Sequence, residues 1–431
     1  MAPNLEAFAK RSQVFSECRL GSFPTVPARA DIATGKFAFT FTGWSALPQE
    51  EKTMAAYMND LGYLTCGVAD NPFLLRNGYG YDRGFQDFFW IKGQRGGAEG
   101  VDTKSTWTSE SDRCAPQTFS TAIDWIERHQ DEKFFLYVEP WDPHEPWDAP
   151  DHYVKQYLPD YEGEKVFPAY WDVGDAGVTE RDLEVAHAGY RAEITVVDQW
   201  FGKLIDRLDS LDLMKDTTVL FASDHGFYFG EHGIFGKRRF LWDKKIPQNQ
   251  QRIGTAGQTG YYYSCPLHQE LTRVPFVMHH PRLEPRQHDC LLSLCDLLPT
   301  MVELGGGTPP DDIHGKSLVP VLEGNTQQHR DIVVSADADA HMMRDISKAV
   351  DDVPRLILET CPSTICYGEW EFIYAREGDP HALYHRFNDP DHKHDLAKDH
   401  PEIVARLHAK YVDWMDQHGV PEASKAVRRR L

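Results

Sequence analysis

The sequence predicts an α/β protein with a central, mostly parallel sheet that carries helices on both faces, followed by a smaller C-terminal α+β subdomain. Three observations lead to this prediction. Short, wholly apolar runs are typical of strands buried on both faces of a sheet. Helical patterns alternate with these runs along the chain, as in parallel α/β architectures. The 431 residues, 41% apolar and 26% charged, also suffice for a large folded core.

Five apolar runs are predicted as strands because they combine short length with apolar or β-branched composition. They are FFLYVEP (134–140), TVLFASD (218–224), PFVMHHP (275–281), IVVSA (332–336) and EWEFIYA (369–375). Six segments have helical character, and they are PNLEAFAKRS (3–12), 52–61, 117–130, 179–211, 296–304 and 401–418. The longest helix places Val197, Phe201 and Leu204 at helical spacing on one face. Strand ends in such a sheet are where ligands bind.

The composition changes beyond Gly324, where charged residues and histidines become frequent. We therefore predict an α/β domain over 1–325 that would carry the candidate site, and a C-terminal α+β subdomain over 326–431. The polar, Gly- and Gln-rich segment 243–264 is predicted to be an inserted loop beside the site.

The formal net charge of −21 argues against nucleic acid or an anionic membrane as the main partner. A small anionic substrate remains compatible with this charge, because a local cationic pocket can override the global field. No run approaches the ~20 apolar residues that span a bilayer, and the first residues lack the apolar core of a signal peptide. The eight scattered cysteines favour a reducing compartment, with one or two disulfides as the alternative. The expected location is cytoplasmic for the chain as given; the oligomeric state is not predicted.

The stretch FASDHGFYFGEHGIFGK (221–237) crowds acids, histidines and a lysine into one loop after a predicted strand. Asp224 and His225, at the strand end, can share a divalent cation. The imidazole shifts the preference from calcium or magnesium toward manganese or zinc. The alternative is a helix-capping aspartate beside a surface histidine, because short motifs often occur by chance.

Two further segments carry candidate chemistry. In WDPHEP (141–146), prolines fix a turn that presents His144, which can donate a proton to a leaving group; a structural turn histidine is the alternative. In SFPTVPARAD (22–31), a helix starting near Pro27 would place Thr25 at its positive end, with Arg29 one turn on. The alternative for this segment is a threonine cap and a solvated arginine.

Taken together, these motifs resemble the sulfatase family of the alkaline-phosphatase-like superfamily. The resemblance covers nearly the whole chain. It rests on ordered matches at APNLEAFAKRSQVFSEC, TVPAR, FFLYVEPWDPHEPWDAP, FASDHGFYFGEHGIFGK, RVPFVMHHP, LCDLLPTMVELGG, IHGKSLVPVLEG and GDPHALYHRFNDPDHKHDLAKDHPEIVARL. It implies an alkaline-phosphatase-like fold and a metal-dependent hydrolase of sulfate- or phosphate-type esters.

The resemblance also implies residue roles. Thr25 stands at the nucleophile position and Arg29 at the arginine that supports it. His144 stands where a histidine contacts the ester or its leaving group, and Lys237 where a lysine contacts an ester oxygen. The remaining implied positions are those of the metal ligands.

Asp224 and His225 stand where the family has its second pair of metal ligands. Thr25 would be the third residue of this chain to bind the metal. One divalent ion is implied, either Ca, Mn or Zn. The glycines of the 221–237 loop are expected to let it fold back tightly, and Glu231 and His232 are expected to shape the loop rather than bind metal.

Three departures from the family pattern affect the predicted chemistry. Thr25 cannot form the formylglycine of typical sulfatases, whereas a plain threonine nucleophile occurs in phosphodiesterases of the superfamily. The first strand of the family, which ends in an acidic pair of metal ligands, has no match here. Either the gene start lies upstream or the chain is a degenerate relative. Where the family has Lys-x-His, this chain has Asp70, Asn71, Pro72 and Phe73.

Two hypotheses follow. The first is an ester hydrolase that uses Thr25, either as a sulfatase-like enzyme or as a phosphodiesterase or phosphonate monoester hydrolase. The second is a catalytically degenerate sulfatase-like protein that binds an anion or a partner. A nucleotide-dependent enzyme is set aside, because no glycine-rich phosphate-binding motif follows a predicted strand.

Overall fold

The structure is a computed structural model that describes residues 1–71, 78–91, 109–237, 239–242, 260–263, 266–338, 362–375, 380–420 and 422–431. It confirms the predicted α/β class. The described helices are α1 (Pro3–Ala9), α2 (Thr25–Thr34), α3 (Met54–Asp60), α4 (Cys114–Arg128), α5 (Asp151–Val154), α6 (Val173–Ala176), α7 (Glu180–Ser210), α8 (Gln269–Thr272), α9 (Leu297–Leu304), α10 (Val319–Leu322), α11 (Pro401–Gln417) and α12 (Glu422–Arg428).

The described strands include one for each of the five predicted apolar runs, matching it to within a few residues. They are β1 (Gln13–Phe15), β2 (Cys18–Arg19), β3 (Ser22–Phe23), β4 (Leu64–Ala69), β5 (Asp87–Trp90), β6 (Phe134–Glu139), β7 (Trp171–Asp172), β8 (Val219–Ala222), β9 (Tyr228–Phe229), β10 (Ile234–Gly236), β11 (Arg239–Trp242), β12 (Gly260–Tyr263), β13 (Phe276–His279), β14 (Arg286–His288), β15 (Leu292–Ser293), β16 (Ile332–Asp337), β17 (Ser363–Tyr367), β18 (Trp370–Tyr374) and β19 (Ala382–His385).

Two sheets form the middle layer of the α/β part. One has the order β5-β4-β6 with all strands parallel, and the other has the order β14-β1-β13-β8. In the second sheet, β13 runs antiparallel to both β1 and β8, with Phe276 opposite Ala222. β13 begins at the end of the sheet where β8 finishes. Because the connection between them does not cross to the opposite end of the sheet, β13 runs antiparallel to β8.

Helices cover both faces of this middle layer. On one face, α4 and α7 bury Phe119 and Phe201 against Val68 of β4 and Val277 of β13. On the other face, α3 and α9 pack around Phe135 of β6. The predicted three-layer arrangement is therefore present, and its middle layer consists of two separate sheets.

A third sheet, with the order β19-β18-β17-β16-β3, forms most of the C-terminal part. Its edge strand β3 pairs in parallel with β16 and leads directly into α2. The N-terminal segment that carries the candidate nucleophile is thus anchored in the C-terminal sheet. The division into 1–325 and 326–431 stays a prediction.

Within the predicted insertion 243–264, only Gly260–Tyr263 is described as an element, and its backbone pairs with β11. Residues 243–259 lie outside the described part of the chain. Among the described cysteines, Cys18, Cys66, Cys290, Cys295 and Cys366 are free and buried. None of the described helices combines the length and apolarity that crossing a membrane would require.

Helix α1 depends on a carboxylate from α7. Asp198, 4% exposed, accepts hydrogen bonds from the backbone N–H groups of Asn4 at 3.1 Å and Leu5 at 2.8 Å. These donors belong to the first turn of α1, where helical N–H groups have no partner within the helix. The contact therefore caps α1 and fixes it on α7.

We expect Asp198→Ala to lower the free energy of unfolding by about 1–3 kcal/mol, because it leaves these donors without their acceptor in a buried place. Asp209→Ala is the matched control, since its ion pair with Arg11 is solvent-exposed and should contribute less than about 1 kcal/mol. Urea unfolding measures both changes. Equal losses in the two variants would contradict the capping role.

Candidate active site

Thr25 lies at the start of α2, directly after β3. The helix begins two residues earlier than the predicted start near Pro27, so the threonine is itself the first helical residue. Its side chain is nearly inaccessible, at 2% exposure, and its Oγ1 lies 3.1 Å from Nε2 of His225. A hydroxyl group at a helix N-terminus beside an imidazole is the arrangement of an activated nucleophile and its base.

His225 is held in one tautomer by its own loop. Nδ1 lies 2.8 Å from the carbonyl oxygen of Gly226, which can accept but not donate, so Nδ1 carries the proton. Nε2 therefore directs its lone pair at the hydroxyl of Thr25. Burial, with a further contribution from Lys237, lowers the pKa of His225 to about 4, although Asp224 opposes the shift. The imidazole is neutral at pH 7 and can accept a proton.

Arg29 joins the ends of two strands. Its Nε donates to Glu139 at the end of β6 at 2.5 Å, and its Nη1 donates to Asp224 just beyond β8 at 2.5 Å. The same Nη1 donates to the carbonyl oxygen of Thr25 at 2.7 Å. Burial alone would raise the pKa of Asp224, but Arg29 and His225 outweigh it and hold that pKa well below its usual range.

Glu139 is a site residue that the sequence analysis missed. Its carboxylate accepts hydrogen bonds from Arg29, from Asn71 Nδ2 at 2.8 Å and from the hydroxyl of Tyr137 at 2.5 Å. The sequence offered one signal for this residue, which is an acidic side chain at the end of the apolar run FFLYVEP, just before the turn that carries His144. The neighbouring Asn71 belongs to the segment that departs from the family pattern; Pro72 and Phe73 lie outside the described residues.

His144 and Lys237 form the second half of the site. Lys237 Nζ lies 2.8 Å from Nε2 of His144, and Nδ1 of His144 donates to the carbonyl oxygen of Glu145 at 2.7 Å. The imidazole stacks on the Trp141 ring with centroids 3.9 Å apart. His144 is therefore fixed on two sides, and its Nε2 shares a hydrogen bond with a lysine that is 7% exposed.

The glycines of the 221–237 loop have the conformations that were expected. Gly230, Gly233 and Gly236 have positive φ angles, which glycine adopts without strain. Glu231 accepts from a backbone N–H group of its own loop, and His232 contacts Glu270, so both shape the loop as predicted. The loop returns Lys237 to the cavity that holds His225.

One cavity of about 990 Å³ collects most of the predicted side chains. Its lining includes Arg29, His144, Asp224, His225 and Lys237. Thr25 joins this group through its hydrogen bond to the His225 imidazole. The structure therefore brings all six predicted residues into one site.

The site supplies an incomplete donor set for a divalent cation. Its described donors are Oδ2 of Asp224, Nε2 of His225 and the hydroxyl of Thr25. The Asp224 Oδ2 and His225 Nε2 atoms lie 3.3 Å apart. No group of three or more His, Cys, Asp or Glu side chains in the described ranges is arranged to hold a metal. Divalent ions take four or more ligands, and Asp224 already pairs with Arg29. These residues alone do not fit a complete metal site.

The loop has no room for a side chain at Gly226. A Cβ at this position would lie 1.9 Å from the backbone oxygen of Glu270. We expect Gly226→Ala to lower the free energy of unfolding by about 1–3 kcal/mol and to displace His225, because the neighbouring backbone cannot yield. Gly174→Ala is the control, since nothing lies within 4 Å of its Cβ position. Thermal unfolding of both variants tests this, and an unchanged Gly226→Ala protein would contradict it.

Comparison with known proteins places the chain among ester hydrolases. The family model described as Sulfatase matches residues 1–307. The uncharacterized sulfatase YidJ of Escherichia coli (strain K12) is 24% identical, over 96% of this chain and 82% of the relative. The choline-sulfatase of Rhizobium meliloti (strain 1021) is 24% identical, over 92% of this chain and 78% of the relative.

Solved structures show the same fold. The phosphonate monoester hydrolase of Agrobacterium radiobacter superposes with a TM-score of 0.73 at 19% identity, covering 97% of this chain and 91% of that chain. A protein solved in complex with its substrate D-glucosamine-2-N,6-O-disulfate gives a TM-score of 0.72 at 16% identity, covering 98% and 94%. With the family model matching more than half of its length, this chain belongs to the sulfatase family.

Proposed function

We propose that this chain hydrolyses a small anionic ester of the sulfate, phosphate or phosphonate type, with Thr25 as the nucleophile. The observation that carries the proposal is the 3.1 Å contact between the Thr25 hydroxyl and the lone pair of a neutral His225. Threonine needs such a base, because its hydroxyl is a weak nucleophile at its ordinary pKa. Membership of the sulfatase family supports the same reaction class.

The reaction follows from these two residues. His225 Nε2 takes the hydroxyl proton as Thr25 Oγ1 attacks the sulfur or phosphorus atom. The bond to the leaving-group oxygen breaks, and the oxygen takes up a proton to become an alcohol. Water then attacks the ester formed on Thr25, which releases the sulfate, phosphate or phosphonate anion and restores the hydroxyl.

The pair His144 and Lys237 supplies charge and a proton on the other side of the cavity. Lys237 Nζ donates a hydrogen bond to His144 Nε2, so a proton held between them is available to the leaving group. The ammonium group of Lys237 also stabilises negative charge that develops on the ester oxygens. Arg29 acts as a positioning residue, because two carboxylates occupy its guanidinium and it fixes the carbonyl of Thr25.

Sulfatase-family members generally depend on a divalent metal ion. We propose Asp224, His225 and Thr25 as this chain's share of the ligands, for Ca, Mn or Zn, where a bound ion would polarise the ester. The lone pair of His225 cannot bind a metal ion and accept the Thr25 proton at the same time. In the proposed reaction the imidazole therefore acts as the base, and no step involves a metal.

The identity of the nucleophile narrows the range of acids that the ester can contain. Typical sulfatases use a formylglycine, which Thr25 cannot form, so a phosphoester or phosphonoester is the favoured alternative within this proposal. The structural similarity to a phosphonate monoester hydrolase is in line with that alternative. A catalytically degenerate binding protein is the second candidate, favoured by the incomplete donor set around Asp224.

The proposal is tested with nitrophenyl esters of sulfate, phosphate monoester, phosphate diester and phosphonate. Each is assayed with manganese, calcium or zinc and without added metal. We expect at least one ester to turn over and Thr25→Ala to lower kcat by about 10⁴-fold or more, because triad-type nucleophiles contribute on that scale. The released nitrophenolate gives the rate.

Thr42→Ala is the matched control, because Thr42 bonds to Ser45 and takes no part in the site. It should retain the activity of the unaltered chain. Full turnover in Thr25→Ala would overturn the proposed nucleophile. No turnover of any ester under any metal condition would favour the degenerate binding protein.

A further inference from the structure

Glu145 is a buried carboxylate beside His144 to which the proposed reaction gives no role. It lies in the WDPHEP turn and is 4% exposed. Its Oε2 lies 3.2 Å from Nδ1 of His144, and its Oε1 accepts a hydrogen bond from the hydroxyl of Tyr170. Burying a carboxylate costs free energy unless donors and charges compensate for the lost water. Both neighbours can donate, so they satisfy the ionised form of Glu145.

A cation and an anion contact the two nitrogens of the His144 ring. Nζ of Lys237 lies 2.8 Å from Nε2, and the Glu145 carboxylate lies beside Nδ1. A carboxylate at one ring nitrogen stabilises the imidazolium that forms when the other nitrogen takes up a proton. The ring can therefore carry the proton that it shares with Lys237, while Glu145 balances the charge.

The same carboxylate connects the His144 turn to the strand that leads to Lys237. Tyr170 directly precedes β7, and its backbone N–H group donates to the carbonyl oxygen of Phe235 at 2.8 Å. Phe235 is the central residue of β10, which pairs antiparallel with β7 and ends one residue before Lys237. Glu145 thus holds His144 relative to Lys237 through one side-chain and one backbone hydrogen bond of Tyr170.

The position of Tyr170 is tightly determined. Its backbone has a φ angle of 51°, which non-glycine residues rarely adopt. A Cβ at Gly236 would lie 2.9 Å from Cα of Tyr170, so β10 approaches the tyrosine as closely as a glycine allows. Strained backbone of this kind persists where the surroundings over-determine it, and it is frequent at active sites. Tyr170 is therefore held with its hydroxyl at the Glu145 carboxylate.

The backbone of the His144 turn is fixed separately, by α7. Nε1 of Trp147 donates to the carbonyl oxygen of Pro143 at 3.1 Å. A Cβ at Gly189 of α7 would lie 2.9 Å from Cβ of Trp147, so this helix packs directly against the turn. We therefore expect the turn to keep its shape when only the Glu145 carboxylate is replaced.

We propose that Glu145 is the positioning residue of the leaving-group side of the site. Its carboxylate stabilises the protonated His144 ring and, through Tyr170, sets the separation between His144 and Lys237. Glu145 lies behind the imidazole and acts through it. This inference rests on the proposed function, because it assigns His144 and Lys237 to the leaving group.

Protons balance over the two halves of the reaction. Nε2 of His144 gives its proton to the leaving-group oxygen as the bond from that oxygen to sulfur or phosphorus breaks, and the pair of His144 and Lys237 then holds one proton fewer. When water attacks the ester on Thr25, one water proton returns to this pair, and His225 returns its proton to the Thr25 oxygen. Glu145 stays ionised throughout.

The test compares the phenyl and nitrophenyl esters of the acid that the chain hydrolyses. Phenolate needs a proton as it leaves, whereas nitrophenolate is stable enough to leave without one. We expect Glu145→Gln to lower kcat/KM by about 10²-fold for the phenyl ester and by less than about threefold for the nitrophenyl ester, because a general acid contributes about 10²–10⁴-fold. The ratio of the two values does not depend on the fraction of protein that is folded.

Tyr170→Phe is the second variant, because it removes a donor from the same carboxylate without replacing Glu145. It should lower kcat/KM for the phenyl ester by about tenfold, the scale of one hydrogen bond to a charged group, and should affect the nitrophenyl ester less. Glu164→Gln is the matched control, since its ion pair with Arg181 is accessible to solvent, and it should leave the ratio unchanged. Equal losses for the two esters in either test variant would overturn the positioning role.

A measurement without any ester separates this inference from the proposed function. In the full chain labelled with ¹⁵N-histidine, the Nδ1–H resonance of His144 is assigned by its loss in His144→Gln. It should move upfield in Glu145→Gln and stay in place in Glu164→Gln, because hydrogen bonds to an ionised acceptor are shorter and stronger. An unchanged resonance in Glu145→Gln would overturn the inference. If no ester turns over, the proposed hydrolysis fails, and this resonance alone decides whether Glu145 acts on the imidazole.

Discussion

The site depends on one buried guanidinium. Arg29 reaches across the space between β6 and β8 and pairs with Glu139 on one side and Asp224 on the other. The two sheets have no described strand pairing with each other. This cation therefore fixes the distance between the strand ends at the place where the candidate catalytic side chains lie. It also holds Asp224 ionised in a half-buried position, since a nearby opposite charge offsets the desolvation penalty.

The remaining site residues are placed by elements that converge on this pair. β3 is anchored in the C-terminal sheet and delivers Thr25 at the first turn of α2, one helical turn before Arg29. The loop after β8 places His225 against the threonine, and its glycines return Lys237 to His144. The proposed nucleophile, its proposed base and the cationic side of the cavity are thus held by strand ends and one tight loop, as in other α/β enzymes.

Local sequence patterns predicted much of this arrangement, because they are governed by local physics. The apolar runs became strands within a few residues, and the six candidate residues, whose roles the family resemblance implied, lie in one site. The antiparallel direction of β13 was not predictable, since strand direction depends on the path of the connection rather than on composition. Glu139 was missed because an acid at a strand end is only a weak signal, and its role becomes clear only with its partner Arg29, which lies 110 residues away. The space between β6 and β8 that Arg29 crosses is a property of tertiary structure alone.

The most direct test of this account is a pair of double-mutant cycles on the free energy of unfolding in urea. One cycle combines Arg29→Met with Glu139→Gln, and the other combines Arg29→Met with Asp224→Asn. If Arg29 joins the two sheets, both cycles should give coupling energies in the range of about 0.5–3 kcal/mol. Additivity within about 0.3–0.5 kcal/mol in either cycle would show that the guanidinium does not bridge the two strand ends, and would contradict the account.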